Sequence, residues 1–179
     1  MKEMSKIKAL CIAAVCIALC YVLPLALHGV VLGSVLSPMH IPVLLCGLAC
    51  GGGYGALCGL LGPVLSHVLS GMPPMPMLVR MIPELMTYGL AAGLLMRHLR
   101  TGKPALDLYA SLVAAMVLGR IVGGIATAVF FAVTAGTYSV SLWISGYFVE
   151  ALPGIAAHLI LVPVLYAALR KAGVLQKKK

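Results

Sequence analysis

The chain has 179 residues, 62% of them hydrophobic and 9% charged, with a formal net charge of +9 and a mean hydropathy of +1.10. Charged residues make up about a quarter of an ordinary globular domain, so this composition excludes a soluble enzyme and points to an integral membrane protein. At roughly 20 residues per crossing the length allows about six helices and leaves no room for a nucleotide-binding domain. If transport here is driven by ATP, another chain hydrolyses it.

The positive charge does not read as a nucleic-acid surface. Lys2, Lys6 and Lys8 precede the first apolar run, Arg97, Arg100 and Lys103 form one short loop, and Arg170, Lys171, Lys177, Lys178 and Lys179 follow the last run. Basic residues bunched at span ends are a signal of membrane orientation.

Span one is expected at 7–27, long enough to be a retained helix rather than a cleaved signal; Leu19-Cys20 lacks the small residue that precedes a lipoprotein cysteine. Ala9 and Ala13 lie one turn apart on it, a flat strip that ordinary packing within the chain would explain. Residues 34–62 carry no charge and contain Pro38-Met39-His40-Ile41-Pro42, then Gly51-Gly52-Gly53. They read as a membrane hairpin, with spans at 40–51 and 54–70 joined by a tight glycine turn. Gly47, Gly51, Gly55 and Gly59 recur every fourth residue, a spacing that lets helices approach closely. The cysteines (Cys11, Cys16, Cys20, Cys46, Cys50, Cys58) all fall in apolar runs without a CxxC pair, so they read as small buried apolar residues, with no disulfide or zinc framework.

After a loop from Ser70 to Met77, span four is expected at 78–97, span five at 106–134 and span six at 146–169. Six spans place the N-terminus, the 97–103 loop and the C-terminus on one side. All thirteen basic residues except Arg80 and Arg120 lie there, so both termini are expected to be cytoplasmic. The predicted fold is thus a single all-α membrane domain over 1–179, with six transmembrane helices in a cell membrane.

Arg80, Glu84, Arg120 and Glu150 fall inside or at the edge of the spans. On insertion scales each costs about 2.5–3.5 kcal/mol at mid-bilayer, so each needs a partner, water or protein around it. Arg80 and Glu84 are four residues apart and able to pair; Glu150 or Glu84 is placed to neutralise Arg120. Two readings stay open: a polar site between spans four, five and six, or buried structural salt bridges. A ligand there would use these charges together with Tyr88, Tyr138, Tyr147 and Trp143. Two arginines suit a carboxylate or phosphate, but two glutamates make the set formally neutral, so the sign of the ligand does not follow. His40, His67 and His158 read more readily as packing residues than as metal ligands, and Met72, Met75, Met77 and Met81 as a flexible apolar gate rather than a copper site. No metal or cofactor is expected.

The stretch from Pro38 to Gly47, the glycine turn and Leu60-Leu-Gly62-Pro63 together resemble the substrate-binding (S) component of an energy-coupling factor (ECF) transporter. The similarity is greatest to the vitamin-uptake group with pantothenate, folate, riboflavin and cobalamin members. The resemblance covers nearly the whole chain. It implies a protein that captures a vitamin-like solute outside the cell, associates with a transmembrane coupling subunit and two ATP-binding subunits, and topples in the membrane to release the solute inside. It implies docking on the coupling subunit through Ala9 and Ala13, and a pocket built from spans four to six under the loops after spans one, three and five. His40, at the entry to span two, joins Arg80, Glu84, Tyr88, Arg120, Trp143, Tyr147 and Glu150 as the candidate substrate-binding set. The aromatic content of 6% tilts the solute toward pantothenate over flat-ring vitamins. Another solute, such as folate, a pyridoxine-like compound, cobalamin, a queuosine precursor or a metal, is the alternative. A small intramembrane enzyme using Glu84, His67 and His158 is a second, against which stands the absence of GxSxG, HExxH or an acidic metal cluster. A structural or channel-forming role is the third.

Overall fold

A computed structural model describes residues 5–27, 37–99, 101–134, 139–149 and 151–175. The described elements are all helical: α1 (Lys6–Leu27), α2 (His40–Cys50), α3 (Gly52–Ser70), α4 (Met75–His98), α5 (Pro104–Val133), the short α6 (Val140–Ile144), a π-helical turn over Ser145–Val149, and α7 (Leu152–Lys171). A helix closes its backbone hydrogen bonds within its own segment, which is what apolar runs with no water around them require. Among the described residues, five helical stretches are long and apolar enough to cross a membrane.

α2 differs from its neighbours. It has 11 residues, which at ~1.5 Å per residue covers about half of a ~30 Å hydrocarbon core. The expected second span is therefore a half-length helix. Every residue from His40 to Leu48 is buried, because α2 is enclosed by α1, α3, α4 and α7. The turn that ends it needs a single glycine: Gly51 sits at φ 104°, and Gly52 and Gly53 already belong to α3.

α4 runs through the middle of the bundle against α2, α3 and α5, and glycines let it in. A Cβ on Gly55 would lie 2.6 Å from the Gly47 backbone and overlap Gly89, and one on Gly59 would lie 2.5 Å from the Leu85 carbonyl. Gly47, Gly89 and Gly93 likewise have backbone where a Cβ would go. Gly47, Gly55 and Gly59 of the four-residue glycine series thus form the joint between the α2–α3 hairpin and α4, while Gly51 serves the turn. Gly53 faces open space.

α1 packs on α2 and α3 through Ala9, Ala13, Cys16 and Cys20, all buried. Cys20 lies with its Sγ 4.0 Å from that of Cys58 and 3.7 Å from the Met39 carbonyl oxygen, and Gly62 leaves the space that Cys20 fills. The six cysteines are unpaired; Cys16, Cys20, Cys46 and Cys58 are buried as the sequence suggests, but Cys11 is exposed on the outer face of α1. Because Ala9 and Ala13 are only 3% and 4% exposed, these methyls are not on a free surface. A docking role for them would require α1 to lift from the hairpin. The outer faces carry Ile7, Leu10 and Val15 on α1, Leu57, Leu61 and Leu65 on α3, and Val113, Val117 and Ile121 on α5, all exposed as lipid-facing side chains are.

Candidate functional site

α2, α4 and α7 begin, and α5 ends, at one end of the bundle, opposite the basic residues other than Arg80 and Arg120. Just inside that end, His40, Glu84, Tyr88, Arg120, Thr127, Trp143, Tyr147 and His158 come together. Glu84 and Tyr88 are one turn apart on α4, and the Tyr88 hydroxyl donates to Glu84 Oε1 at 2.8 Å. His40, the first residue of α2, places Nε2 3.7 Å from the same oxygen. Its ring lies 5.1 Å from that of Tyr88 and stacks on His158 at 5.5 Å. His40 Nδ1 and His158 Nε2 both face the Ser37 carbonyl oxygen, at 3.1 and 3.4 Å. Ser37 is held at φ 43°, a left-handed conformation uncommon for a residue with a Cβ.

On α5, Arg120 is 6% exposed. One of its terminal nitrogens donates to the Tyr147 carbonyl, a group presented by the π-helical turn. Its Nε is buried with no hydrogen-bond partner. The Trp143 indole donates to the Arg120 carbonyl at 3.3 Å, and the Tyr147 hydroxyl lies 2.8 Å from Thr127 Oγ1. π-helical turns disturb the regular ladder and recur at functional sites; here the turn brings both ends of Tyr147 onto α5.

The face of α5 that receives these groups is cleared by glycine. A Cβ on Gly119 would strike the Tyr88 ring, one on Gly124 the Trp143 indole, and one on Gly123 would come within 2.9 Å of Glu84 Oε2 and 3.0 Å of the Tyr147 ring. Gly119, Gly123, Gly124, Thr127 and Ser37 are absent from the sequence-derived set. The signal for the first three was a Gly-x-x-x-Gly-Gly pattern around Arg120, in the one apolar helix with a mid-span arginine.

Of the candidates, His40, Glu84, Tyr88, Arg120, Trp143 and Tyr147 are brought together. Arg80 is not. Its Nε donates to the Pro76 carbonyl at 3.0 Å, and its guanidinium lies 5.7 Å from the rings of Phe130 and Phe131. The expected Arg80–Glu84 pair therefore does not form: Arg80 turns toward the end of α5, while Glu84 turns inward to His40 and Tyr88. Nor does Glu84 pair with Arg120; among the described residues, the ion pair of this site is His40–Glu84. Glu150 and Tyr138 lie outside the described residues. His67 binds the Pro73 carbonyl at 2.7 Å and, with Ser66 on the Met72 carbonyl at 2.8 Å, ties the loop after α3 to that helix. No group of three metal-ligating side chains occurs among the described residues.

The family model of the ECF transporter substrate-specific component matches residues 8–166. No curated protein and no solved structure matches the chain significantly.

Proposed function

The chain belongs to the substrate-specific components of ECF transporters, proteins of the cell membrane that serve substrate-specific uptake, and from that premise we propose that the cluster around Arg120 and Glu84 is where it holds its solute. The observation that carries this reading is a buried arginine with an unpartnered Nε, set among aromatic and imidazole groups at one end of a mostly apolar bundle. Ionisable groups at such depth mark ligand paths by default. A purely structural salt bridge would pair Arg120 with a carboxylate, whereas Glu84 is occupied by His40 and Tyr88.

The site lies at the end from which α2, α4 and α7 depart. With both termini cytoplasmic this end faces outward, so the solute is captured outside the cell. Release inside then requires the ECF module, in our reading a membrane coupling subunit with two ATP-binding subunits. The solute is vitamin-like in size, and pantothenate is the first to test. Membership of a transport family replaces the alternative of an intramembrane enzyme.

The test is to purify the chain, extract it and identify the released solute by mass spectrometry, then measure thermal stabilisation on adding that solute back, since a ligand that binds only the folded state raises its stability. Capture predicts one stoichiometric solute and a concentration-dependent rise in Tm that Arg120→Gln and Glu84→Gln reduce. If both variants bind normally and lose only stability, the cluster is structural and the proposal is wrong.

A further inference from the structure

We infer that the solute is an anion, carrying a carboxylate or phosphate ester that pairs with Arg120; the inference rests on the reading of this cluster as the solute site. The sequence leaves the sign of the ligand open because Glu84 is formally able to cancel Arg120. The geometry turns Glu84 away from Arg120. The Ser37 carbonyl oxygen can only accept a hydrogen bond, so the His40 Nδ1 that faces it at 3.1 Å carries a hydrogen. His40 Nε2 faces Glu84 Oε1 at 3.7 Å, and the Tyr88 hydroxyl donates to the same oxygen, so this carboxyl group is directed at His40 and Tyr88 rather than at Arg120. His158, facing the same carbonyl at 3.4 Å, adds no negative charge.

Among the described residues, Arg120 is therefore left without a paired carboxylate. Its protein partner is a neutral carbonyl, that of Tyr147; its Nε is buried and unbonded; and among the described residues no carboxylate lies within 4.0 Å of it. A guanidinium is a planar fork of donors that matches two oxygens of a carboxylate or phosphate and stays charged at any physiological pH. A neutral or cationic solute would leave this charge buried and uncompensated, whereas an anion supplies both the missing charge and the missing acceptor.

The probe is a deproteinised small-molecule extract of cells, used whole, after passage through anion-exchange resin, after cation-exchange resin, and after phosphatase treatment. Each is added to the purified chain, and the shift in Tm and the captured solute are read. The inference expects the whole and cation-exchanged extracts to stabilise the protein and the anion-exchanged extract to lose that effect. Loss on phosphatase treatment assigns a phosphate ester; persistence assigns a carboxylate. Arg120→Gln should strongly reduce the shift and Arg120→Lys should keep more of it, and the resin comparison on the unmodified chain decides the matter even if neither variant folds. If stabilisation survives anion exchange, or is removed only by cation exchange, the solute is not an anion and the inference fails while capture stands. If no extract stabilises the chain and no solute is recovered, capture itself fails, and the inference with it.

Discussion

Arg120 and the His40–Glu84 pair show how one side chain decides what another can do. Removing a single member of a buried charge pair strands the other, at a typical cost of 3–5 kcal/mol, whereas replacing both with apolar groups is often neutral. His40→Leu should therefore lower Tm strongly, and the double change His40→Leu, Glu84→Leu should recover much of the loss; thermal unfolding in detergent measures both. Tyr88→Phe removes the hydroxyl donated to Glu84 and should cost about 1–3 kcal/mol by the same measurement. For the bound solute, Arg120→Gln should weaken affinity by roughly 30-fold or more, as truncating one side of a buried charged hydrogen bond costs about 2 kcal/mol upward; titration calorimetry with the recovered solute checks it. His40, Glu84, Tyr88, Arg120, Trp143 and Tyr147 were legible as candidates because polar groups in apolar helices are costly and few. Their partners were not. Arg80 and Glu84 share a helix face, yet the aromatic end of α5 and the first residue of α2 lie far away in sequence and drew them apart.

At the scale of the element, the glycines of α2, α3 and α5 matter more than the apolar runs around them. Where two backbones already occupy the space, a methyl group has nowhere to go, and overpacking costs about 1–3 kcal/mol or more. Gly55→Ala and Gly89→Ala should each destabilise the bundle by at least that amount, while Gly53→Ala, in open space on α3, should leave stability unchanged or raise it by up to about 1 kcal/mol. Comparing the three by thermal unfolding separates close approach from helix propensity. Gly123→Ala lies at the site itself, beside Glu84 and Tyr147, and should weaken solute binding more than it lowers Tm. The four-residue glycine spacing announced a helix joint in the sequence; that α4 was the partner, reaching both sides of the turn at Gly51, came only from the folded chain.

For the molecule as a whole, α1 carries the question of docking. Ala9 and Ala13 fit the pattern that the family resemblance assigns to the coupling subunit, but they are buried against this chain's own helices. Ala13→Trp should therefore lower Tm as well as uptake, whereas Leu10→Trp, on the exposed face, should leave the fold and solute binding intact. A normal Tm for Ala13→Trp would show that α1 is free to release that face. The orientation is open to a similar check. In a cysteine-free background, Ser139→Cys should react with an impermeant thiol reagent added to intact cells, and Lys103→Cys only after the cells are opened.

The amino-acid sequence by itself determined the medium, the class of fold and the family: the excess of apolar residues, the clustering of basic residues at span ends and the family pattern are local properties, readable without knowing what touches what. It also marked most of the costly polar groups. What the tertiary structure decided was their pairing. α2 became a half-length helix wrapped by its neighbours, Ser37 turned one carbonyl toward two histidines, and the turn before α7 aimed the Tyr147 carbonyl at Arg120. Those arrangements join residues up to about 120 positions apart (Ser37 and His158, separated by 121), and no local pattern encodes them. They direct Glu84 to His40 and Tyr88, and among the described residues they leave Arg120 with no carboxylate beside it.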